Sequence, residues 1–223
     1  MDWSALLLSL KLGALTVAFL LPLGIGIGRL LATRDFPGKD LVEALIALPL
    51  ILPPTVLGYY LLVAFGRAAP LGVLWQSLFG HPLAFSFEGL LFASLLFNLP
   101  FAIQPIQRGF EAIAPDVREA AACCGLRPLA VLARVDLPLA WPSVLTAMVL
   151  SFAHTLGEFG VVLMVGGNIP GETRTIAIAI YDRVQAFDNA AAGIMSALLL
   201  AIALLTIALS FALGRRLLPP RRP

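Results

Sequence analysis

The chain has 223 residues, of which 60% are hydrophobic and only 13% charged, against the roughly 25% charged residues of an average soluble domain. Fifteen Lys+Arg and 13 Asp+Glu cannot clothe a soluble globule of this length, so soluble enzyme folds are excluded. The net charge of +2 is too mild, and the basic residues too dispersed, for a nucleic-acid partner. A mean hydropathy of +0.95 places the chain in the lipid bilayer as an integral membrane protein.

A bilayer core of about 30 Å needs roughly 20 mostly apolar helical residues, because a lipid-exposed backbone must satisfy its hydrogen bonds within its own segment. The amino terminus, MDWSALLLSLKLGALTV, opens with an acid and its apolar run outlasts a signal h-region, so residues 6–31 are predicted as a retained first span. Gly24 and Gly28 within it form a small-xxx-small pair suited to close helix packing. The second predicted span covers 44–66, with Pro49, Pro53 and Pro54 expected to kink it, as Pro22 and Pro100 could in their own helices, such kinks serving either motion around a pathway or packing alone. Residues 68–87 have the length of a span but are interrupted by Pro70, Gly72, Gly80, His81 and Pro82. They are predicted as an outer loop or half-buried interfacial helix. The remaining spans fall at 89–107, 141–165 and 190–214.

The fold class is therefore all-α, a polytopic transmembrane bundle of about five spans, with six as the alternative. The whole chain, 1–223, is expected to form one transmembrane domain carrying a cytoplasmic loop at about 109–140. Five spans with the first loop inside put Arg29, Arg34, Lys39, Arg108, Arg118, Arg127, Arg134, Arg215, Arg216, Arg221 and Arg222 on the cytoplasmic side. A sixth span would move the Arg-containing loop at 108–134 outside, against the positive-inside rule. The amino terminus is expected outside and the carboxyl terminus inside.

The longest polar interval, Arg108 to Trp141, has the pattern of two short helices. Pro115 suits a first helical turn, Asp116 and Glu119 favour the positive end of the dipole, Ala120 to Ala122 propagate the helix and Gly125 stops it. Pro128 starts the second helix, whose apolar face is Leu129, Leu132, Ala133 and Val135, and Pro138 is expected to end it. The neighbours Cys123 and Cys124 have no disulfide, redox or zinc spacing and are expected to be reduced packing residues.

Glu119-Ala120-Ala121, three residues, Gly125, nine residues, Val135, one residue and Leu137-Pro138 resemble the EAA signature of permease subunits of binding-protein-dependent ABC importers, with Val135 in place of the usual Ile. Phe36-Pro37-Gly38-Lys39, Leu48-Pro49, Leu52-Pro53-Pro54 with Gly58-Tyr59, Gly157-Glu158-Phe159-Gly160, and Asn168-Ile169-Pro170-Gly171-Glu172-Thr173-Arg174-Thr175 look like molybdate permeases. Sulfate and thiosulfate permeases share parts of this pattern in generally longer chains, so length favours molybdate, with sulfate, thiosulfate or tungstate as the alternative cargo. The resemblance implies a type I ABC importer permease fold in the bacterial inner membrane. It also implies a homodimer, two ATP-binding cassette subunits and an extracytoplasmic molybdate-binding protein. The helix at about 116–130 would dock on the ATPase through Glu119, Ala120, Ala121, Gly125, Leu126 and Pro128, with Leu137 and Pro138 completing the signature. The chain itself would be no enzyme and hold no cofactor, ATP and Mg residing in the partner. The absence of GxxxxGK[ST] agrees with that, since Gly24-Ile-Gly26-Ile-Gly28 is no nucleotide fingerprint. Neither GxSxG nor HExxH occurs, and His81 and His154 are the only histidines.

Ser151, His154, Thr155 and Glu158 recur at i, i+3, i+4 and i+7, on one face of the fourth predicted span. Polar groups at membrane depth are functional candidates. Ser151 and Thr155 either line an anion path or pack against neighbouring helices. Glu158 is expected near the outer end as a structural or gate residue, since a central carboxylate would repel an oxyanion. Residues 166–175 are expected outside, with Arg174 and Arg183 pairing with Glu172 and Asp182 or attracting an anion.

Overall fold

A computed structural model describes residues 1–217; Arg221 and Arg222, invoked for orientation, lie outside the described residues. In chain order the helices are α1 (Trp3–Thr33), α2 (Lys39–Ile51), α3 (Pro54–Phe65), α4 (Pro70–Phe79), α5 (Phe87–Glu111), α6 (Pro115–Cys123) and α7 (Pro128–Val131). A π-helical turn (Leu132–Asp136) then leads into α8 (Leu137–Gly157), followed by α9 (Gly160–Gly166), α10 (Ile176–Gln185) and α11 (Asn189–Leu217). Among the described residues, four continuous helical stretches are long and apolar enough to cross a membrane: Trp3–Thr33, Phe87–Glu111, Pro128–Gly157 and Asn189–Leu209. The pair α2 and α3 makes a fifth if it is one broken span. The all-α bundle is thus recovered, with four to five candidate spans where about five were expected. The 68–87 interval holds only the ten-residue α4, too short to span.

The centre of the bundle is α1 against α5 and α8. Glycine spacing makes the first contact close: a Cβ on Gly24 would stand 3.3 Å from the Ala102 carbonyl oxygen, and one on Gly28 3.1 Å from the Gln107 amide nitrogen. Pro22 does not interrupt α1, nor Pro100 and Pro105 α5. Asp2 caps α1, accepting hydrogen bonds from the Ser4 hydroxyl and the Ala5 amide, and these hold its carboxyl below the usual range. At one end of the bundle Leu12, Phe65, Leu83, Leu90, Phe97 and Val162 form a buried cluster. Toward the other, Ile106, Phe110, Ile113, Ala140 and Val144 form a second.

Three expectations about continuity are corrected. Residues 44–66 do not make one kinked span: α2 and α3 meet at 110°. The cause is two successive residues before proline, Leu52 (ψ 134°) and Pro53 (ψ 137°), both driven out of the helical region. The fourth predicted span is likewise broken, because Glu158 is extended (ψ 131°) between α8 and α9. Glu158 therefore leaves the helical face it was expected to share with Ser151 and Thr155. Its carboxylate instead accepts a hydrogen bond from the Val161 amide at 2.8 Å, capping α9. Finally, Pro138 does not end the second loop helix. The wider π turn immediately before it absorbs the missing N–H, and the helix runs on into α8.

Candidate functional site

The EAA segment forms the helix the sequence predicts. Pro115 opens α6, Asp116 lies in its first turn, and Gly125 stops the chain at φ +79°, a left-handed value that favours glycine. The helix lies on the surface of the bundle. Ala121 is its single buried residue, while Glu119 and Ala120 are exposed and Leu126 half-buried. Glu119 makes no hydrogen bond or ion pair among the described residues, and Val117 and Leu129 (41% and 78% exposed) add apolar surface around it. Gly125, Pro128 and Pro138 are also exposed, and Leu137 is half-buried against the Ile106–Phe110 cluster. Cys123 and Cys124 are free but exposed, which corrects the expectation that they pack inside: α6 has no second side to bury them against.

What fastens α6 to the membrane helices was not read from the sequence. Asp136, in the π turn, is fully buried. One carboxylate oxygen accepts from Arg29 Nε of α1 at 2.8 Å and the other from Arg118 Nε of α6 at 2.8 Å. The second arm of each guanidinium reaches a backbone carbonyl, Arg118 donating to Phe110 at 2.7 Å and Arg29 to Pro128 at 3.3 Å. The available signal was that Asp136 is the sole acid between Glu119 and Glu158, beside an apolar helix.

In α8, Ser151 and Thr155 are 1% and 2% exposed, and Thr155 faces Ser94 and Asn98 of α5. Asn98 donates to Thr155 Oγ1 (2.9 Å) and to the Ser94 carbonyl (2.9 Å), Thr16 and Ser94 hydroxyls meet at 2.7 Å, and Asn98 Oδ1 lies 3.2 Å from His154 Nδ1. Among the described residues the Ser151 hydroxyl oxygen has no hydrogen-bond partner. Sequence reasoning placed Ser151 and Thr155 on one face but missed Thr16, Ser94 and Asn98, which the helix crossing brings to them. Glu158, half-buried, stands apart at the α8–α9 break. Arg174 pairs with Asp182 at 3.8 Å and Asp2 at 3.9 Å, and Arg183 with Asp188 at 3.4 Å, so Glu172 is not the partner expected. No group of three or more His, Cys, Asp or Glu that could hold a metal occurs among the described residues.

A bundle of apolar helices, two of its predicted spans broken, that bears a surface helix with the EAA spacing defines a membrane transport subunit. The chain belongs to the family described as binding-protein-dependent transport system inner membrane component, whose pattern matches residues 22–222. It is 48% identical over 191 residues to the molybdenum transport system permease protein ModB of Azotobacter vinelandii, covering 86% of this chain and 84% of that one. With the protein of the same name from Escherichia coli K12 it shares 41% identity, over 82% and 80% of the two chains. A solved bacterial alginate ABC transporter, in complex with an alginate-bound periplasmic protein, has a chain that superposes with a TM-score of 0.77. That match covers 96% of this chain and 78% of the other at 16% identity, and it establishes the importer permease fold.

Proposed function

We propose that the chain carries molybdate across the bacterial inner membrane as one of two identical pore-forming copies, with α6 seated on an ATP-binding cassette subunit. The observation that carries this is α6 itself, with an unpaired carboxylate at Glu119 and exposed Val117 and Leu129 around it. An isolated helix that buries one residue presents a surface built for a partner rather than for its own bundle. Relatives of 41–48% identity named as molybdenum permeases support the cargo.

In this reading the amino terminus faces out, the carboxyl terminus and α6 face the cytoplasm, and an extracytoplasmic binding protein delivers the oxyanion. ATP and Mg are held by the two partner subunits, whose closure moves α6 and reorients the spans. The chain contributes binding, shape and movement but no bond chemistry. Glu158, at the end of α8, is the gate candidate, while Ser151 and Thr155 reach the path only if α8 turns away from α1 and α5. Thiol labelling of Ser151→Cys and Thr155→Cys during turnover decides this: labelling in any state supports the path, and protection in every state leaves both as helix-tying residues.

The docking is tested by a photo-crosslinking amino acid at Val117 in the assembled transporter. The expected product joins this chain to the ATPase. Crosslinks to lipid or to this chain alone, in a preparation that still transports, would overturn the assignment.

A further inference from the structure

The bond network at Asp136 joins four helical segments through one carboxylate. Arg29 belongs to α1, Arg118 to α6, the Phe110 carbonyl to the last turn of α5, and the Pro128 carbonyl to the start of α7. The Phe110 carbonyl lies at the negative end of the α5 dipole and otherwise accepts only turn amides, that of Ile113 at 3.3 Å, so a guanidinium is favoured there. Arg29 follows Gly28, where a Cβ would stand 3.1 Å from the Gln107 amide nitrogen, a tight approach of α1 to α5. It therefore sits beside the close packing of α1 on α5.

By contrast, α6 has little else to hold it. It buries Ala121 alone and is otherwise tied by the short connections 112–114 and 124–127. A displacement of α6 relative to α1 would draw Arg118 away from a carboxylate that is fully buried. Arg29 alone would then face the buried carboxylate, one of its oxygens losing a charged partner, a cost the exposed contacts open to α6 do not offset. The path of least resistance is for α6, the π turn and the inner end of α1 to move together. Asp136 is the buried residue of the π turn, which widens the helix immediately before Pro138.

We infer that the Arg29–Asp136–Arg118 triad is the element that transmits motion of α6 to the membrane helices, Asp136 acting as a positioning residue through its two arginines. The inference rests on the docking of α6 proposed above. A purely structural staple would change how much transporter assembles. A transmitting element changes how much cargo moves per ATP in what does assemble.

The test uses the complete transporter, this chain with its ATPase and binding protein, in proteoliposomes, and reads molybdate moved per ATP hydrolysed after normalising to assembled complex. Asp136→Asn should lower that ratio about tenfold, within the range of ordinary coupling free energies. Arg134→Gln, an exposed change on the same turn, should leave it within about twofold. Should Asp136→Asn fail to assemble, Arg29→Gln carries the same test, because it leaves Asp136 compensated by Arg118. The Val117 crosslink is recorded in each preparation. An intact crosslink with a fallen ratio supports the triad, whereas an intact crosslink with an unchanged ratio overturns it and leaves docking standing. Loss of the crosslink in the unmutated transporter overturns both.

Discussion

At the scale of single residues, Gly125 and Glu119 separate two demands on the same helix. A Cβ at Gly125 would meet nothing within 4 Å, so its requirement is the backbone angle of +79° and not space. A β-branched residue there costs roughly 1–2 kcal/mol in the left-handed region, paid in the geometry of the α6–α7 turn. Gly125→Val is therefore expected to insert and fold in the membrane but to lose most transport, while Gly125→Asn, which tolerates that region, retains more. Glu119→Lys leaves the helix intact, since no intramolecular bond is broken, and reverses the charge offered to the partner. Uptake assays beside membrane-fraction immunoblots check both variants. Normal uptake by either contradicts the docking role. The residues of α6 were legible because caps and stops are local. Asp136 was not, because its partners lie 107 and 18 positions away in the chain and no periodicity reports them.

At the scale of elements, close approach and breakage explain most of the architecture. Gly28→Val places a methyl-bearing Cβ against the Gln107 backbone and should cost about 1–3 kcal/mol by overpacking, lowering the detergent melting temperature. Gly26→Ala, on the open side of α1 with nothing within 4 Å, should leave it unchanged or slightly raised. The pair distinguishes helix packing from helix propensity. Between α2 and α3, replacing Pro53 and Pro54 together by Ala removes both pre-proline constraints. The 110° bend should then open toward a continuous helix, seen as a longer distance between spin labels at Asp40 and Phe65. An unchanged distance would assign the bend to packing of α3 on α9, where Gly58 lies against Met164, instead of to proline. Hydropathy alone located both broken spans but read them as continuous. It averages over windows longer than the two or three residues, Leu52–Pro53 and Glu158–Phe159, at which the helices actually stop.

At the scale of the whole molecule, the composition and the EAA spacing carried the class, and the charge distribution the number of spans. The relation among α1, α5 and α8 could not be read the same way. Thr16, Ser94, Asn98 and Thr155 become neighbours only when the glycine face of α1 seats on α5, a tertiary event. The proposed function makes this chain the molybdate permease of an importer driven through α6. It is tested most directly by ATP-dependent uptake of labelled molybdate into proteoliposomes holding this chain, its ATPase and its binding protein. The prediction is uptake that requires ATP, is competed by tungstate and is indifferent to sulfate. Efficient sulfate uptake would contradict the assigned cargo while sparing the importer, and uptake independent of the ATPase would contradict the mechanism itself.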